Sequence, residues 1–144
     1  MKHPDLLLDT HALIWYDSKP SVLPARARNM ITRGDCNVFW SAISMYELWQ
    51  KASKGDHDIT PEFVESILHH LPAYGFKMLP VHAHHTRIAA CLEWYNRDPF
   101  DRIIAAQAIV DGLQIVTADK AFSTLDQIQV LWEYTKKGEP PARP

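Results

Sequence analysis

Short apolar segments that alternate with helix-forming segments are the feature of this chain that most constrains its fold. The first of them, Leu6-Leu7-Leu8, has no polar position, and the later ones are similarly short and apolar. Short strands that are apolar on both faces are typical of a parallel sheet covered by helices on each side. The alternation therefore predicts an α/β fold. Strands are predicted at Leu6–Leu8, Cys36–Ser41, Phe76–Val81, Gln114–Thr117 and Val130–Trp132.

Two of the intervening helices carry a clear start signal. Thr60-Pro61 and Asp98-Pro99 each place an N-capping residue directly before a proline at the first helical position. Glycine at Gly34 and Gly112 supplies a stop signal. The predicted helices are Ala12–Tyr16, a helix opened by Ser21 and Pro24 and stopped by Gly34-Asp35, Ser44–Gly55, a helix after Thr60-Pro61, Ala83–Trp94, Phe100–Val110 and one turn over Asp119–Phe122.

The composition is that of one globular domain. The chain has 144 residues, of which 47% are hydrophobic and 22% are charged, so it can bury a sizeable core and is neither disordered nor fibrous. We expect a single domain over residues 1–134. Residues 135–144 are rich in proline and charge, and this pattern predicts a flexible tail.

The charge and hydropathy of the chain limit its partners. Fifteen Lys and Arg against 17 Asp and Glu give a net charge of -2, which argues against coating nucleic acid or an anionic membrane through bulk charge. No segment approaches the roughly 18 uninterrupted apolar residues of a transmembrane helix. The apolar run that ends at Asp9 is also too short for a signal peptide. We therefore expect a cytoplasmic protein without a membrane partner, and any nucleic-acid contact to be local.

Four acidic residues are predicted to meet at one edge of the sheet. In right-handed βαβ units the carboxyl edge collects both the ends of strands and the first turns of the following helices. Asp9 and Asp119 follow predicted strands, whereas Glu47 and Asp101 lie in predicted first helical turns.

Each of these acids also has an alternative interpretation as a helix-capping residue. Ser44 and Glu47 have the spacing of a capping box, and Asp98 and Asp101 have a related spacing. Asp119 is suited to cap a short helix. Asp9 is harder to dismiss, because a carboxylate directly after three leucines is rarely a mere solvated surface charge.

The electrostatics of such a cluster favour a bound cation. Two unit charges about 5 Å apart at an effective dielectric constant near 20 repel by roughly 3 kcal/mol, a large fraction of the stability of a domain. No Lys or Arg recurs at the four positions. An all-oxygen ligand set selects hard cations such as Mg²⁺ or Mn²⁺ over Zn²⁺, and such sites commonly act on phosphates.

Four sequence blocks around these acids resemble a known family. They are Leu6-Leu7-Leu8-Asp9-Thr10-His11, Ser44-Met45-Tyr46-Glu47, Arg97-Asp98-Pro99-Phe100-Asp101-Arg102 and Thr117-Ala118-Asp119-Lys120. Together they resemble a PIN domain, specifically the VapC-like toxins of type II toxin–antitoxin systems, from about Leu6 to Leu131. The resemblance implies a three-layer α/β/α sandwich with a central, mostly parallel sheet. It also implies an endoribonuclease that depends on Mg²⁺ or Mn²⁺, a homodimer and inhibition by a small cognate antitoxin.

The resemblance assigns roles residue by residue. It implies that the four acids hold the metal and carry catalysis, by an attack of activated water that leaves 5'-phosphate and 3'-hydroxyl ends on RNA. A supporting group of side chains is expected around them, comprising Thr117, Asp98 and Thr10. Basic residues that flank the acids in sequence are expected to hold RNA phosphates or, as an equal alternative, to form ordinary salt bridges; they are Arg97, Arg102, Lys51 and Lys120.

Several histidines and cysteines are interpreted without a metal or redox role. His82, His84 and His85 lack a matching carboxylate or Cys at zinc-ligand spacing, so we expect solvent-facing side chains. His11 is expected to pack or hydrogen-bond near the acids. The two cysteines are far apart and are expected to be buried free thiols; they are Cys36 and Cys91.

The aromatic residues fall into two predicted groups. Trp15, Trp40 and Trp132 lie on apolar segments and are expected in the core. Tyr46 and Trp49 share a helix with Glu47 and suggest an exposed groove for an antitoxin helix, with core packing as the alternative.

Two further interpretations stay open. A phosphatase of the haloacid-dehalogenase type also begins with an Asp after the first strand, but it needs a second acid two residues later, where this chain has His11. A metal-free interaction module that pairs through its aromatic helices is the non-enzymatic alternative.

Overall fold

The computed structural model describes residues 4–133, and the predicted tail at 135–144 lies outside the described residues. Within residues 4–133 no helix has the length and apolar character needed to cross a membrane. The strands are β1 (Leu6–Leu8), β2 (Val38–Ser41), β3 (Lys77–Leu79), β4 (Gln114–Val116) and β5 (Val130–Leu131). The helices are α1 (Thr10–Ser18), α2 (Ala25–Arg33), α3 (Ala42–Ser53), α4 (Pro61–His70), α5 (Ala83–Cys91) and α6 (Pro99–Asp111), with 3₁₀ turns at Pro20–Val22 and Lys120–Thr124.

The five strands form one parallel sheet in the order β3-β2-β1-β4-β5, with β1 at its centre. Leu8 pairs with Trp40 on one side and with Val116 on the other. All three leucines of β1 are fully buried. Leu6 and Leu8 face one core and Leu7 faces the other, as the twofold alternation of a strand requires. The sequence prediction of a parallel sheet with helices on both faces is confirmed.

The two cores define the outer layers of the sandwich. Helices α1 to α4 contribute buried side chains to the core that contains Leu6 and Leu8. Helix α6 and the 3₁₀ turn at Lys120–Thr124 pack against the face that contains Leu7, with Trp94 between them. Helix α5 packs mainly on α6. This arrangement is the three-layer α/β/α sandwich that the resemblance implies.

Both proline-marked helix starts are confirmed by their capping bonds. The side chain of Thr60 accepts a hydrogen bond from Phe63 N at 3.1 Å. The side chain of Asp98 accepts one from Phe100 N at 2.8 Å. At the other end of α6, Gly112 has φ 66°, a left-handed conformation that glycine adopts without a steric penalty.

The predicted start of α3 at Ser44 is wrong, and so is the capping box. The helix begins directly after Ser41, at Ala42. Ser41 is the N-cap, and its side chain accepts a hydrogen bond from Ile43 N at 3.1 Å. Ser44 is therefore buried inside the helix. Glu47 lies in the second turn, where no free backbone N–H remains for it to cap. Capping does not explain this carboxylate.

Helix α5 ends at Cys91, three residues earlier than predicted, for an identifiable reason. Leu92 leaves the helix with extended backbone angles. The side chain of Arg102 donates to the carbonyl oxygens of Ala89 and Leu92, and it also binds two carbonyls further along the segment. These carbonyls therefore have partners without a continued helix.

The histidine cluster at the start of α5 is only partly as predicted. His82 and His84 are exposed, but His85 is buried, so the prediction of a solvent-facing side chain is wrong for His85. Its Nδ1 accepts the backbone N–H of His82 at 3.0 Å, and its Nε2 lies 3.2 Å from Asp111 Oδ2. The ring thus joins the start of α5 to the end of α6.

The remaining expectations for large and sulfur-containing side chains are met in part. Trp15 and Trp132 are buried, whereas Trp40 is half-buried against the same core. Both cysteines are free, but Cys36 is only half-buried and Cys91 is exposed, so the prediction that they are buried is wrong.

Candidate active site

The four acidic side chains predicted to meet line one small pocket at the carboxyl edge of the sheet. Asp9 follows β1 directly and Asp119 lies three residues beyond β4, whereas Glu47 and Asp101 come from α3 and α6. The cavity has a volume of about 40 Å³. A space of this size admits an ion or a water molecule and excludes a nucleotide. The lining is completed by Thr10, His11 and Asp98.

Asp9 is buried and held by donors from two elements. Its Oδ1 accepts the backbone N–H of Ala12 at 2.8 Å and so caps α1. The hydroxyl of Thr117 donates to its Oδ2. The same hydroxyl oxygen accepts the backbone N–H of Asp119 at 3.0 Å. Thr117 therefore lies between the two acids that follow strands β1 and β4.

Glu47 is oriented by α1 across the gap between the helices. The hydroxyl of Thr10 donates to Glu47 Oε1 at 2.7 Å and lies 2.9 Å from Ser44 Oγ. Lys51 Nζ is 3.6 Å from Glu47 Oε2, one helical turn later. The buried position of Ser44, which is incompatible with an N-cap, places its hydroxyl in this network instead.

Asp101 accepts a hydrogen bond from Asn96, a residue that the sequence patterns do not single out. Asn96 Nδ2 donates to Asp101 Oδ2 at 3.0 Å. Burial raises the pKa of Asp101 to about 7, against the lowering effect of the Asn96 hydrogen bond. The negative charges of the neighbouring carboxylates raise this pKa further; they belong to Asp98, Asp119 and Asp9.

The chemistry of this lining fits a hard divalent cation, although the carboxylates are engaged by protein donors. Within residues 4–133, no three Asp, Glu, His or Cys side chains are arranged to hold one ion together as they stand. Glu47 is held by Thr10 and Asp101 by Asn96. Carboxylate and hydroxyl oxygens predominate in the lining, and no Lys or Arg from the described part of the chain joins them. Such a donor set suits Mg²⁺ or Mn²⁺.

The four predicted RNA-binding cations lie in different environments. Arg97 and Lys120 are exposed, and Lys51 is half-buried beside Glu47. Arg102 is buried and its guanidinium donates to four backbone carbonyl oxygens; these belong to Ala89, Leu92, Trp94 and Asn96. The prediction that Arg102 contacts RNA or forms an ordinary salt bridge is corrected on this ground, because four of its five N–H donors bind backbone carbonyls within the fold.

Two further side chains near the acids are less visible in the sequence. Asn96 has only its spacing from Asp98 as a signal, since its Oδ1 accepts the Asp98 N–H at 3.0 Å. His11 lines the pocket and packs on Trp15 with ring centroids 5.9 Å apart, which agrees with the packing role expected for it.

The two aromatic residues predicted to line a groove differ in their surroundings. Tyr46 is exposed, and its ring lies 5.6 Å from that of Phe100 on α6. Trp49 is half-buried and packs on the core formed by α1 to α4. The described residues thus present Tyr46, rather than Trp49, to solvent next to Glu47.

Comparisons with solved structures agree on the fold. The structure of VapBC2 from Rickettsia felis bound to a promoter DNA fragment has 18% identity and a TM-score of 0.69, covering 90% of this chain and 99% of that chain. FitAcB from Neisseria gonorrhoeae has 22% identity and a TM-score of 0.59, with coverage of 87% and 95%. VapBC-5 from Mycobacterium tuberculosis, a member of the VapBC family of toxin-antitoxin systems, has 20% identity and a TM-score of 0.57, with coverage of 91% and 100%.

The family model for the PIN domain matches residues 6–128. A search of curated proteins finds no significant match. The matched region runs from the first residue of β1 to just before β5 and includes all five acids of the pocket. It spans far more than half of the chain, so the resemblance noted in the sequence is confirmed at the level of the family. The chain belongs to the PIN domain family.

Proposed function

We propose that this protein is an endoribonuclease that depends on Mg²⁺ or Mn²⁺ and acts in the cytoplasm as the toxin of a toxin–antitoxin pair. The observation that carries the proposal is the meeting of Asp9, Glu47, Asp101 and Asp119 in one small pocket, where five of the seven lining residues are acids. PIN domains are nucleases, which agrees with such a site. The proposed reaction is hydrolysis of an RNA phosphodiester that leaves 5'-phosphate and 3'-hydroxyl ends.

The four carboxylates would hold the divalent cation. When bound, the cation would supply Lewis-acid activation of water and neutralise charge that develops on the phosphate. Thr117 fixes the orientation of Asp9, and Thr10 fixes that of Glu47. Because side chains already held in place lose little conformational freedom on binding, these bonds favour a defined ligand arrangement.

The phosphate must stay at the mouth of the pocket, since a cavity of about 40 Å³ does not admit a nucleotide. Basic side chains near the acids are proposed to hold the flanking RNA phosphates. Lys51 lies beside Glu47, while Arg97 and Lys120 are exposed near Asp98 and Asp119 in the sequence.

Two protein partners are part of the proposal. A small antitoxin is proposed because solved structures of the same fold include VapBC and FitAB proteins, one of them described as a toxin–antitoxin system. A homodimer is proposed from the family resemblance. Sedimentation of the purified chain alone would measure the homodimer, and sedimentation with a candidate antitoxin would measure that complex.

The test is RNA cleavage by the purified chain, free of other proteins, with Mg²⁺ or with EDTA. We expect cleavage of RNA with Mg²⁺ only, and fragments with 5'-phosphate and 3'-hydroxyl ends. Asp9→Asn should abolish cleavage while the fold is kept. Asp126→Asn is the matched control, because Asp126 is an exposed acid that does not line the pocket.

Two outcomes would reject parts of this proposal. Fragments with 2',3'-cyclic phosphate ends would exclude attack by water on the phosphodiester. Absence of metal-dependent cleavage of any RNA would favour the non-catalytic interaction module instead.

A further inference from the structure

A pair of aromatic side chains lies beside the acidic pocket and has no part in it. Tyr46 is 58% exposed, a large fraction for an aromatic ring in a folded domain. Its ring centroid lies 5.6 Å from that of Phe100, and the two ring planes are inclined by 57°. The pair joins α3 to α6 at the protein surface.

The position of the pair follows from the two helices that bear it. Tyr46 immediately precedes Glu47, and Phe100 immediately precedes Asp101. Glu47 and Asp101 line the same pocket from those two helices. The two rings, which touch across the same pair of helices, therefore lie beside the pocket. Each ring belongs to the residue directly before a pocket acid in the sequence.

The size of the pair favours a small planar partner over a protein surface. A stable protein interface buries about 800 Å² on each partner, which is far more than one exposed ring supplies. Within residues 4–133, four other large apolar side chains are exposed. Tyr74 precedes β3 and Val110 lies in the last turn of α6, so both are at the opposite edge of the sheet; Met78 lies on β3, and Tyr95 directly precedes Asn96. Even two fully buried rings, those of Tyr46 and Tyr95, would supply at most about 500 Å², which is less than such an interface needs.

We infer that Tyr46, braced by Phe100, is the stacking platform for an unpaired RNA base adjacent to the cleaved phosphate. This inference rests on the proposed nuclease function and adds to it a residue that contacts the substrate base. Aromatic rings beside a phosphate-binding site are the usual means of holding single-stranded bases, because every base has a π face that stacks on a ring.

Stacking on Tyr46 requires an RNA base with an uncovered face. A base inside a duplex has both faces covered by its neighbours, so only a base in a single strand, a loop or a bulge is able to stack on Tyr46. Binding at Tyr46 should depend only modestly on base identity, because stacking does not read hydrogen-bonding edges.

The experiment uses an RNA decamer with one 2-aminopurine, tested as a single strand and as a duplex. In EDTA, where no cleavage occurs, binding of the single strand to the wild-type chain should quench 2-aminopurine fluorescence. Tyr46→Ala should abolish the quenching and Tyr46→Phe should retain it, because the stacking ring is kept. With Mg²⁺, Tyr46→Ala should raise KM by at least about fivefold and leave kcat nearly unchanged.

Tyr74→Ala is the control, because it removes a partly exposed tyrosine ring at the opposite edge of the sheet. It should change neither quenching nor KM once circular dichroism shows a folded chain. If the wild-type chain cleaves no RNA, the proposed function fails and this inference fails with it. If the wild type cleaves RNA but Tyr46→Ala has wild-type KM and quenching, only the stacking inference is overturned. A change from dimer to monomer in Tyr46→Ala with KM unchanged also overturns it and assigns the pair to a protein interface.

Discussion

Thr117 donates its hydroxyl proton to the carboxylate of Asp9, although 108 residues separate them in the sequence. The same hydroxyl oxygen accepts the backbone N–H of Asp119 at 3.0 Å. The Thr117 side chain thus holds both the carboxylate of Asp9 and the backbone of Asp119. The spacing of two adjacent parallel strands sets the relative position of these two carboxylates.

Replacing Thr117 by valine should weaken the site without unfolding the chain. The substitution keeps the shape but leaves Asp9 without one donor and the Asp119 N–H without its acceptor. Loss of a residue that orients a metal ligand typically costs about 10- to 100-fold in metal affinity or activity. We expect the Mn²⁺ affinity, measured by calorimetry, and kcat/KM on RNA each to decrease by about this factor.

Thr117→Ser is the matched control for that substitution, since it retains the hydroxyl. It should recover most of the Mn²⁺ affinity. Equal losses in the serine and valine variants would show that packing, rather than the hydroxyl, matters at this position.

The sequence predicts that four distant acids share one edge of the sheet, because parallel topology brings strand ends and helix starts together, but it does not predict the hydrogen bonds around them. Asp9 stands out because three leucines precede it, and Asp98 because a proline follows it. By contrast, Ser41 and Ser44 are equally suitable caps by composition, and only the packing of α3 decides between them. The hydrogen bond from Asn96 to Asp101 depends on where Asn96 lies, and Arg102 of α6 helps to fix this position by donating to the Asn96 carbonyl oxygen.

The role of Arg102 illustrates the same limit. Its position between Asp101 and an apolar helical stretch is compatible with either a surface contact or a buried one. The carbonyl groups that it binds come from a segment up to 13 residues earlier, and no local pattern marks them as acceptors. Tertiary structure therefore decides which of the neighbouring arginines remains available to a substrate.

Arg102→Met and Arg97→Met should therefore have different effects. Arg102→Met leaves four buried or partly buried carbonyl oxygens without their donor, so unfolding free energy should fall by about 3 kcal/mol or more. Arg97 is exposed, so Arg97→Met should leave the melting temperature unchanged and raise KM for RNA. Urea denaturation and steady-state cleavage separate the two effects. A stable Arg102→Met chain with a raised KM would return Arg102 to the RNA-binding group.

Divalent metal should stabilise the folded chain. A ligand that binds only the native state stabilises it by about 2.7 kcal/mol at a concentration 100 times its dissociation constant. We expect Mn²⁺ to raise the melting temperature of the wild-type chain and of Asp126→Asn by several degrees. Glu47→Gln should respond less, because it replaces a charged ligand of the pocket with a neutral one. An equal Mn²⁺ response in Glu47→Gln would exclude Glu47 from the metal site.

Asp101 should make the metal-free chain less stable as the pH rises. Burial and neighbouring carboxylates raise the pKa of Asp101 from its ordinary value of 3.8 to about 7 in the folded chain. The folded state thus holds a proton that the unfolded chain has released, so this contribution to stability is fully present below about pH 4 and is lost as the pH rises to about 7.

In EDTA, the melting temperature of the wild type should therefore fall between about pH 5 and pH 8. It should fall less in Asp101→Asn, because the amide stays neutral and still accepts from Asn96 through Oδ1. Differential scanning fluorimetry at fixed ionic strength measures both profiles, and added Mn²⁺ should reverse the loss in the wild type because it binds the ionised carboxylate. Parallel profiles for the wild type and Asp101→Asn would mean that Asp101 titrates as an ordinary surface acid.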